Sequence, residues 1–339
     1  MSLFSFAAIG INHDHIQGQV KAMLSAGCTF KAFYCPEDDL AQAFSEKFPM
    51  AVRVDDKRRI LEDETIKLVL SSAIPGDRAQ IGLETMRHGK DFMSDKPGLV
   101  SLEELAEVRR VQAETKRIYT ILYSEHYDQR STIKACELVK AGAIGDVLNT
   151  VGLGPHRIRK NQRPDWFFKR ARYGGILTDI GSHQAEQFLY LTGAEDAKIL
   201  SATVANRSHP DKPELQDFGD MLLATDRATG YVRVDWYTPD GLSTWGDGRM
   251  FITGTEGTIE LRKYVDVAGR EGKDHLFLVD RKGTHYFDCT QVEKTFGKEL
   301  AFDVLNRTQT HMSQAHCFKA MEIVLKAQAM AEAKLTGAA

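Results

Sequence analysis

The chain has 339 residues, of which 42% are hydrophobic and 27% are charged, and its formal net charge is -3. A chain of this length exceeds one ordinary hydrophobic core, so we expect two domains, at residues 1–123 and 124–339. The small net charge offers no basic surface for nucleic acid. Because the sequence has neither a run of about 18 apolar residues nor a basic segment before its apolar start, we expect no membrane partner, no signal peptide and a cytoplasmic location.

The five cysteines are scattered along the chain and form no C-x-x-C motif. An odd number of unclustered cysteines argues against a disulfide framework and against a structural zinc site. They are Cys28, Cys35, Cys136, Cys289 and Cys317.

Short apolar segments alternate with helical patterns in the first third of the chain. Strands are predicted at 3–9, 30–34, 66–72, 90–94 and 118–123, and helices at 16–25, 40–47, 55–63, 75–88 and 102–116. Strands that alternate with helices form a parallel, doubly wound sheet whose ligands bind at the carboxyl ends of the strands.

The segment G-I-N-H-D-H lies between the first predicted strand and the first predicted helix. A dinucleotide pyrophosphate binds at the helix N-terminus in this context. Gly10 takes the first position of G-x-G-x-x-G, whereas Asn12 and His15 stand at the second and third, and asparagine tolerates left-handed dihedrals. His13 and His15 either donate to phosphate or are exposed loop residues. An H-x-H pair is too small a ligand set, so we assign no metal.

The end of the second predicted strand sets the choice between NAD and NADP. Cys35 stands there, followed by Glu37, Asp38 and Asp39, and no arginine or lysine occurs between Cys35 and Glu46. A 2'-phosphate needs a cation at this place, so the sequence favours NAD over NADP. Arg78, in the loop after the 66–72 strand, is the residue that could reach in and reverse this preference.

Two further stretches carry side chains suited to proton transfer. In D-F-M-S-D-K-P-G, Pro97 keeps Lys96 out of the helical region and places it on a fixed loop. In Y-G-G-I-L-T-D-I-G-S-H-Q-A-E, one helix is predicted over 175–194, and its period puts Asp179 and His183 on one face. A core histidine bonded to its neighbour would show the same spacing.

The second half of the chain contains one strand before the predicted helix 175–194 and, from residue 197 onward, strands without intervening helices. They are predicted at 147–154, 198–206, 216–224, 229–238, 249–253, 257–262, 276–280 and 284–288. Such strands form an open, mainly antiparallel sheet in an α+β domain. One face of the sheet would be uncovered in a monomer, so we expect a homodimer or homotetramer through it. The C-terminal helix 314–335 is expected to supply core packing and can pack back on the first domain.

Five motifs in this order resemble the glucose-fructose oxidoreductase, inositol dehydrogenase and rhizopine catabolism (Gfo/Idh/MocA) family. They are Gly10 after the first strand, D-K-P at 95–97, A-G-A-I-G-D-V at 141–147, G-G-I-L-T-D-I-G-S-H at 174–183 and G-T-E-G-T-I-E at 254–260. The resemblance implies an N-terminal Rossmann domain, a C-terminal open sheet and NAD(P)-dependent oxidation of a sugar or cyclitol hydroxyl. By motif match, it also implies a catalytic set of Lys96, Asp179 and His183.

Several positions depart from the family pattern, mostly around the cofactor. Asp95 replaces the glutamate of E-K-P, Cys35 stands where an acid is common, and Arg78 takes a histidine position in A-I-P-G-D-R. The N-x-R after the last strand of the first domain appears as Ser124-Glu125-His126. The resulting cofactor-binding set is Gly10, Asn12, His13, His15, Cys35, Glu37, Ser72, Ala73, Ile74, Pro75, Arg78, Asp95, Lys96 and Pro97.

Hydride transfer to nicotinamide requires a base for the alcohol proton and a cation for the developing alkoxide. His183 suits the base, oriented by Asp179, and Lys96 suits the cation, although the roles of Lys96 and His183 can be reversed. The expected ligand is a small polyol, sugar or sugar acid. The substrate-binding set is Lys96, His126, His156, Arg157, Trp166, Asp179 and His183. For the 155–168 segment, a surface loop with one packed tryptophan is the alternative.

Two other functions are alternatives to a dehydrogenase. A tightly held NAD could oxidise a substrate transiently to drive elimination or hydrolysis, with no net redox change. A nonenzymatic dinucleotide or sugar sensor would be expected to lack the catalytic set, and the presence of Lys96, Asp179 and His183 counts against it.

Overall fold

A computed structural model describes residues 2–335 of the chain, which divides into two compact units. Unit 1 comprises the residues up to Leu122 together with Thr295–Phe318. Unit 2 comprises Tyr123–Lys294 together with the residues from Lys319 onward. Unit 1 is therefore built from two separate stretches of the sequence.

The first stretch of unit 1 alternates strands and helices, as the sequence pattern predicts. Its elements are β1 (Ser5–Ile9), α1 (Ile16–Ser25), β2 (Thr29–Tyr34), α2 (Asp38–Lys47), β3 (Val52–Val54), α3 (Arg58–Leu61), β4 (Ile66–Ser71), α4 (Pro75–Arg87), β5 (Asp91–Asp95), α5 (Leu102–Thr115) and β6 (Tyr119–Leu122). The strand β3 has no counterpart among the predicted strands, because its three residues are too short and too exposed to show a pattern.

These six strands form one parallel sheet in the order β3-β2-β1-β4-β5-β6. The strand order reverses at β1, so the loops after β1 and β4 leave the sheet on either side of a crevice. The predicted doubly wound parallel sheet is thereby confirmed. Phe6, Val69 and Phe92 are completely buried within it.

Unit 2 begins with two helices and then forms most of its strands after residue 197. Its elements are α6 (Ser124–Tyr127), α7 (Arg130–Lys140), β7 (Val147–Pro155), α8 (Arg170–Tyr173), α9 (Ile176–Asp179), α10 (Gly181–Thr192), β8 (Lys198–Ala205), β9 (Phe218–Ala224), β10 (Thr229–Asp235), β11 (Arg249–Gly254), β12 (Gly257–Arg262), β13 (His275–Asp280) and β14 (Gly283–Asp288).

The eight strands of unit 2 form one open sheet in the order β14-β13-β12-β11-β7-β10-β9-β8. All neighbours are antiparallel except β7 and β10, which pair in parallel over Asn149–Pro155. The expectation of a mainly antiparallel sheet is confirmed. The parallel pair arises because β7 is inserted between β10 and β11, far from its neighbours in sequence.

The helix α10, which carries His183, packs closely on this sheet. A Cβ atom built on Gly152 would lie 2.7 Å from Cγ of Gln184, and one on Gly154 would lie 3.0 Å from its Nε2. Only glycine in these two β7 positions leaves room for the α10 backbone to approach. The predicted single helix over 175–194 is instead two helices, α9 and α10, which meet at Ile180.

The last two helices are α11 (Phe296–Asn306) and α12 (Gln314–Leu335). α11 and the start of α12 belong to unit 1, where Arg307 binds both carboxylate oxygens of Asp91 at 2.6 and 3.0 Å. None of the helices within residues 2–335 is both long and apolar enough to cross a membrane.

Candidate functional site

The loop after β1 is held between the loops after β2 and β4. Gly10 donates its backbone N–H to Tyr34 and accepts from Ser72, and its φ of 76° is in the left-handed region. A Cβ atom there would come within 2.5 Å of the Ala73 Cβ, so the close approach of the two loops requires glycine. The sequence-predicted residues Gly10, Ser72 and Ala73 are thus brought together at the carboxyl edge of the sheet.

The second position of the glycine motif is occupied by Asn12, which has a polar side chain. Asn12 donates its amide to Glu37 at 2.9 Å, and the Cys35 thiol lies 3.2 Å from the other Glu37 oxygen. Burial, followed by the hydrogen bond to Glu37, raises the pKa of Cys35 to about 12, so this cysteine stays a neutral thiol. These three predicted residues form one wall at the end of β2.

Arg53, which sequence reasoning missed, places a cation at the same end of β2. Its guanidinium donates to the Cys35 carbonyl oxygen at 3.0 Å and to the Asp38 carboxylate at 2.7 Å. The sequence window between Cys35 and Glu46 contains no basic residue, but the neighbouring strand β3 supplies one. Recognition of β3 as a strand would have revealed it.

Arg78 is buried and directed into its own unit. Its Nε donates to the Ala73 carbonyl at 2.7 Å, and one terminal nitrogen donates to the carbonyls of Lys96 at 2.5 Å and Pro97 at 2.9 Å. It also lies 3.1 Å from the Asp95 carboxylate and is 1% exposed. Arg78 therefore fixes the backbone of the Asp95-Lys96-Pro97 loop, which is a different role from the reach towards a 2'-phosphate considered above.

Asp95 also accepts a contact from His15, whose Nδ1 lies 3.0 Å from its second oxygen. Burial alone would raise the pKa of Asp95, but the charges of His15 and Arg78 outweigh burial and hold that pKa well below its usual range. Burial, aided by His15, lowers the pKa of His13. The histidines at 13 and 15 lie with their rings 4.1 Å apart.

His13, His15 and Asp95 place one potential ligand atom each within 4.8 Å of one another, a spacing that a metal ion could occupy. The Asp95 oxygens are already bonded to Arg78 and His15, so we interpret these three residues as structural contacts of the loop rather than as metal ligands.

Lys96 is 7% exposed and follows β5 directly, at the same edge of the sheet as Gly10.

In unit 2, Asp179 and His183 lie on either side of the junction between α9 and α10. They are 9% and 2% exposed. The Ser182 hydroxyl donates to the Asp179 carbonyl at 3.1 Å, which fixes the junction, and the ring of Tyr123 stands edge-on to the His183 ring at 6.4 Å. A buried carboxylate and imidazole on either side of this junction are suited to orienting and moving a proton.

Arg163 is the second residue that sequence reasoning missed. Its guanidinium lies over the Phe167 ring at 4.4 Å and over the Trp236 ring at 5.2 Å. Burial lowers the pKa of Arg163, and the charge of Asp179 partly restores it. The signal was the stretch R-P-D-W-F-F, in which an arginine precedes an aromatic run; Trp236 could be found only from the parallel pairing of β7 with β10.

The residues that follow β7 and β10 form an aromatic group. His156 packs against Trp236 at 5.3 Å and Trp245 at 4.4 Å. Arg157 donates its guanidinium to the Pro239 and Leu242 carbonyl oxygens at 2.8 and 2.6 Å, so it anchors the 239–242 loop.

Two other predicted substrate residues have different surroundings. Trp166 is partly exposed, with its ring 6.1 Å from the Phe167 ring. His126 is 3% exposed, and its two ring nitrogens contact Glu186 at 2.9 Å and Cys136 at 3.4 Å. These contacts favour a role for His126 inside unit 2 over direct substrate contact.

Comparison with known proteins gives a consistent result. Residues 132–260 match the model of the GFO/IDH/MocA C-terminal domain. A crystal structure of a candidate oxidoreductase from Erwinia carotovora atroseptica SCRI1043 is 44% identical, with a TM-score of 0.94, over 97% of this chain and 98% of that chain.

Two curated relatives come from Bacillus subtilis (strain 168). The scyllo-inositol 2-dehydrogenase (NADP(+)) IolW is 27% identical over 48% of this chain, and the match covers 45% of that protein. The scyllo-inositol 2-dehydrogenase (NAD(+)) is 23% identical over 78% of this chain and 68% of that protein. The chain thus matches about half the length of the first relative and two thirds of the second.

Proposed function

The chain belongs to the Gfo/Idh/MocA family, and we propose on that premise that it is an NAD(P)-dependent oxidoreductase. Its reaction is hydride transfer between nicotinamide and a secondary hydroxyl or ketone of a sugar, cyclitol or sugar acid. The observation that carries the proposal is the buried pair formed by Asp179 of α9 and His183 of α10, inside the range matched by the family model. The two Bacillus subtilis relatives support a polyol substrate.

A dinucleotide fits the carboxyl edge of the unit 1 sheet. The loops after β1, β2 and β4 meet there, and Gly10 removes the side chain that would otherwise separate them. Asn12, Glu37 and the loop of Asp95 and Lys96 surround the same edge. These residues would hold the cofactor, which when bound supplies the hydride acceptor or donor.

The chain's own residues handle the proton and the charge on the reacting oxygen. His183 takes the hydroxyl proton on its imidazole, and Asp179 orients that ring through its negative charge. Lys96 stabilises the developing alkoxide as a cation. Arg78 acts as a positioning residue for Lys96, because it binds the Lys96 and Pro97 carbonyl oxygens.

The proposed activity can be tested on the purified protein. Mass spectrometry of the denatured protein is expected to show a co-purified dinucleotide, and a panel of cyclitols, aldoses and sugar acids is expected to change nicotinamide absorbance. A substrate consumed without any absorbance change would instead support elimination or hydrolysis with a retained NAD. No turnover of any panel member, with no dinucleotide bound at any concentration, would reject both enzymatic functions.

We propose NAD as the preferred cofactor, and expect NADPH to bind about tenfold more weakly than NADH, a difference of about 1.4 kcal/mol. Three carboxylates follow the end of β2 and repel a 2'-phosphate, whereas Arg53 there is already bonded to Asp38. Fluorescence titration of both reduced cofactors measures the difference. Tighter NADPH binding that is lost in Arg53→Ala, but retained in the exposed control Arg59→Ala, would show that Arg53 reverses the preference.

We also propose that the protein assembles through the unit 2 sheet. One row of paired residues crosses all eight strands on the face opposite α10, and most of its members are apolar or aromatic. The row is Ser201, Leu222, Tyr231, Val151, Phe251, Glu260, Phe277 and Tyr286. Phe251 and Tyr286 remain 37% and 45% exposed, which a second copy would cover.

Light scattering is expected to give a multiple of the 38.0 kDa chain mass, because an uncovered apolar sheet face favours self-association. Phe251→Asp is expected to release monomers, whereas Val267→Asp, at a loop position that is 59% exposed, is expected to leave the assembly intact. A wild-type mass equal to one chain would contradict this proposal.

A further inference from the structure

Unit 2 contains a cysteine, a histidine and a glutamate in one connected line, separate from Asp179 and His183. Cys136 of α7 has its sulfur 3.4 Å from Nε2 of His126 in α6. Nδ1 of the same ring lies 2.9 and 3.0 Å from the two carboxylate oxygens of Glu186 in α10. The three residues are 6%, 3% and 0% exposed. A nucleophile, a base and a group that orients the base therefore follow one another in hydrogen-bond reach.

The Glu186 carboxylate determines which nitrogen of the His126 ring can accept a proton from Cys136. Glu186 can only accept from Nδ1, so this nitrogen carries a proton and Nε2 is the atom that receives the thiol proton. Burial alone would lower the pKa of His126, but the charge of Glu186 and the contact with Cys136 outweigh burial and raise the pKa to about 10. The ring of Tyr127, stacked 4.0 Å away, and that of Tyr190, at 4.5 Å, hold the imidazole in place.

The other cysteines lack this arrangement. Burial raises the pKa of Cys28 to about 11 and that of Cys289 to about 12, and burial together with Glu37 raises that of Cys35 to about 12. Cys317 donates its thiol to the Tyr119 carbonyl oxygen, with the sulfur 3.7 Å from that oxygen. Cys136 is the cysteine placed against an oriented imidazole.

Cys136 is also one of the residues that line a cavity. A cavity of about 340 Å³ is lined by Cys136, Lys140, Asp146, Val147, Tyr190 and Gly193, among others. It lies at the C-terminal end of α10, whereas His183 lies in the first turn of that helix, so about 15 Å of helix separates the two at 1.5 Å per residue. The cavity places open space beside Cys136 that a small reagent can enter without passing the candidate catalytic residues.

We propose that Cys136 is a nucleophilic thiol and a site of covalent modification by small hydroperoxides, with His126 as its base and Glu186 as the residue that positions the base. The sulfur attacks one oxygen of hydrogen peroxide, an S–O bond forms and the O–O bond breaks. His126 takes the thiol proton and passes it to the departing hydroxide, which leaves as water. The sulfur is oxidised by two electrons to a sulfenic acid, and the peroxide is reduced.

The test uses the full-length protein, hydrogen peroxide as the oxidant and dimedone to trap sulfenic acid, with peptide mass spectrometry to assign the site. We expect Cys136 to be labelled at least about tenfold faster than each of the other four cysteines. In urea, where the fold is lost, all five are expected to react at similar rates. Equal labelling of the five cysteines in the folded protein would overturn the proposal.

Glu186→Gln tests the positioning role, because it keeps the side-chain shape and removes the charge. Cys136 labelling is expected to fall about tenfold and to become steeply dependent on pH, as for an ordinary thiol, while the rates of the other cysteines stay unchanged. Glu137→Gln, an exposed glutamate on α7, is the matched control and is expected to leave labelling at the wild-type rate. If Cys136 in Glu186→Gln is labelled at the wild-type rate and with the wild-type pH profile, Glu186 does not position His126. If that variant fails to fold, the comparison of the five wild-type cysteines still decides the proposal.

Discussion

His183→Ala and Lys96→Met are each expected to lower turnover by about 100-fold to 10,000-fold, the usual contribution of a general acid or base. Both residues are buried polar groups, at 2% and 7% exposure, and are assigned to the proton and to the charge on the reacting oxygen. Dinucleotide binding should fall much less than turnover, because neither replacement touches the contacts of the Gly10 loop and Lys96→Met keeps the backbone carbonyl that Arg78 binds. Steady-state kinetics and cofactor titration of the same preparations separate the two effects.

Asp179→Asn is expected to lower turnover less than His183→Ala does, since it keeps the side-chain shape and removes only the charge that orients the imidazole. The double variant should be little worse than the poorer single variant, because residues that act in one step are not additive. His285→Ala, a histidine that is 40% exposed on β14, is the matched control. A folded, cofactor-binding His183→Ala or Lys96→Met protein with turnover within about twofold of wild type would reject the mechanism.

Lys263→Met is expected to lower the free energy of unfolding by about 3–5 kcal/mol, the cost of removing one partner of a buried ion pair. The Lys263 side chain is 1% exposed, and its ammonium donates to Glu125 at 2.9 Å and to Gln187 at 3.0 Å. Gln184 of α10 also donates to the same Glu125 oxygen at 3.0 Å. Without Lys263, the Glu125 charge stays buried with no cation bonded to it, and α10 loses a connection to the end of β12.

Chemical denaturation of the intact chain measures the loss. Lys169→Met is the matched control, because the Lys169–Glu214 pair has the same 2.9 Å separation but side chains that are 61% and 45% exposed. Such a surface pair contributes at most about 1 kcal/mol. The double variant Lys263→Met/Glu125→Leu should recover part of the stability, since no charge is then left buried. Equal losses in Lys263→Met and Lys169→Met would contradict the argument.

The sequence predicts the strands and helices of unit 1 well where hydrophobic periodicity is strong. It misses β3, because three exposed residues show no period, and with β3 it misses Arg53 at the end of β2. The parallel pairing of β7 with β10 is equally hidden, since strands adjacent in sequence suggest antiparallel neighbours. Arg163 and Trp236, which come together through that topology, were therefore absent from the predicted substrate residues.

Arg78 shows that the position of a residue in a motif does not determine which way its side chain points. Its place in A-I-P-G-D-R after β4, at a histidine position of the Gfo/Idh/MocA pattern, suggests a contact with the cofactor. In the structure, the nearby carbonyl oxygens of Ala73, Lys96 and Pro97 and the Asp95 carboxylate attract the guanidinium inward. A fork of five donors is satisfied best by such a group of acceptors, which only the folded loop brings together.

The return of residues 295–318 to unit 1 has a consequence for biosynthesis. The edge strand β6 donates the Tyr119 N–H to the Gln314 side chain, and Thr120 meets His311, partners that are 195 and 191 positions later in the chain. At about 5–20 residues per second, a ribosome needs roughly 10 to 40 seconds to supply them. During that interval, β6 is an open strand edge on the nascent chain, a template for wrong pairing that chaperones would have to cover. Unit 1, whose first stretch precedes unit 2 in the sequence, is thus completed only after nearly all of unit 2 has emerged from the ribosome.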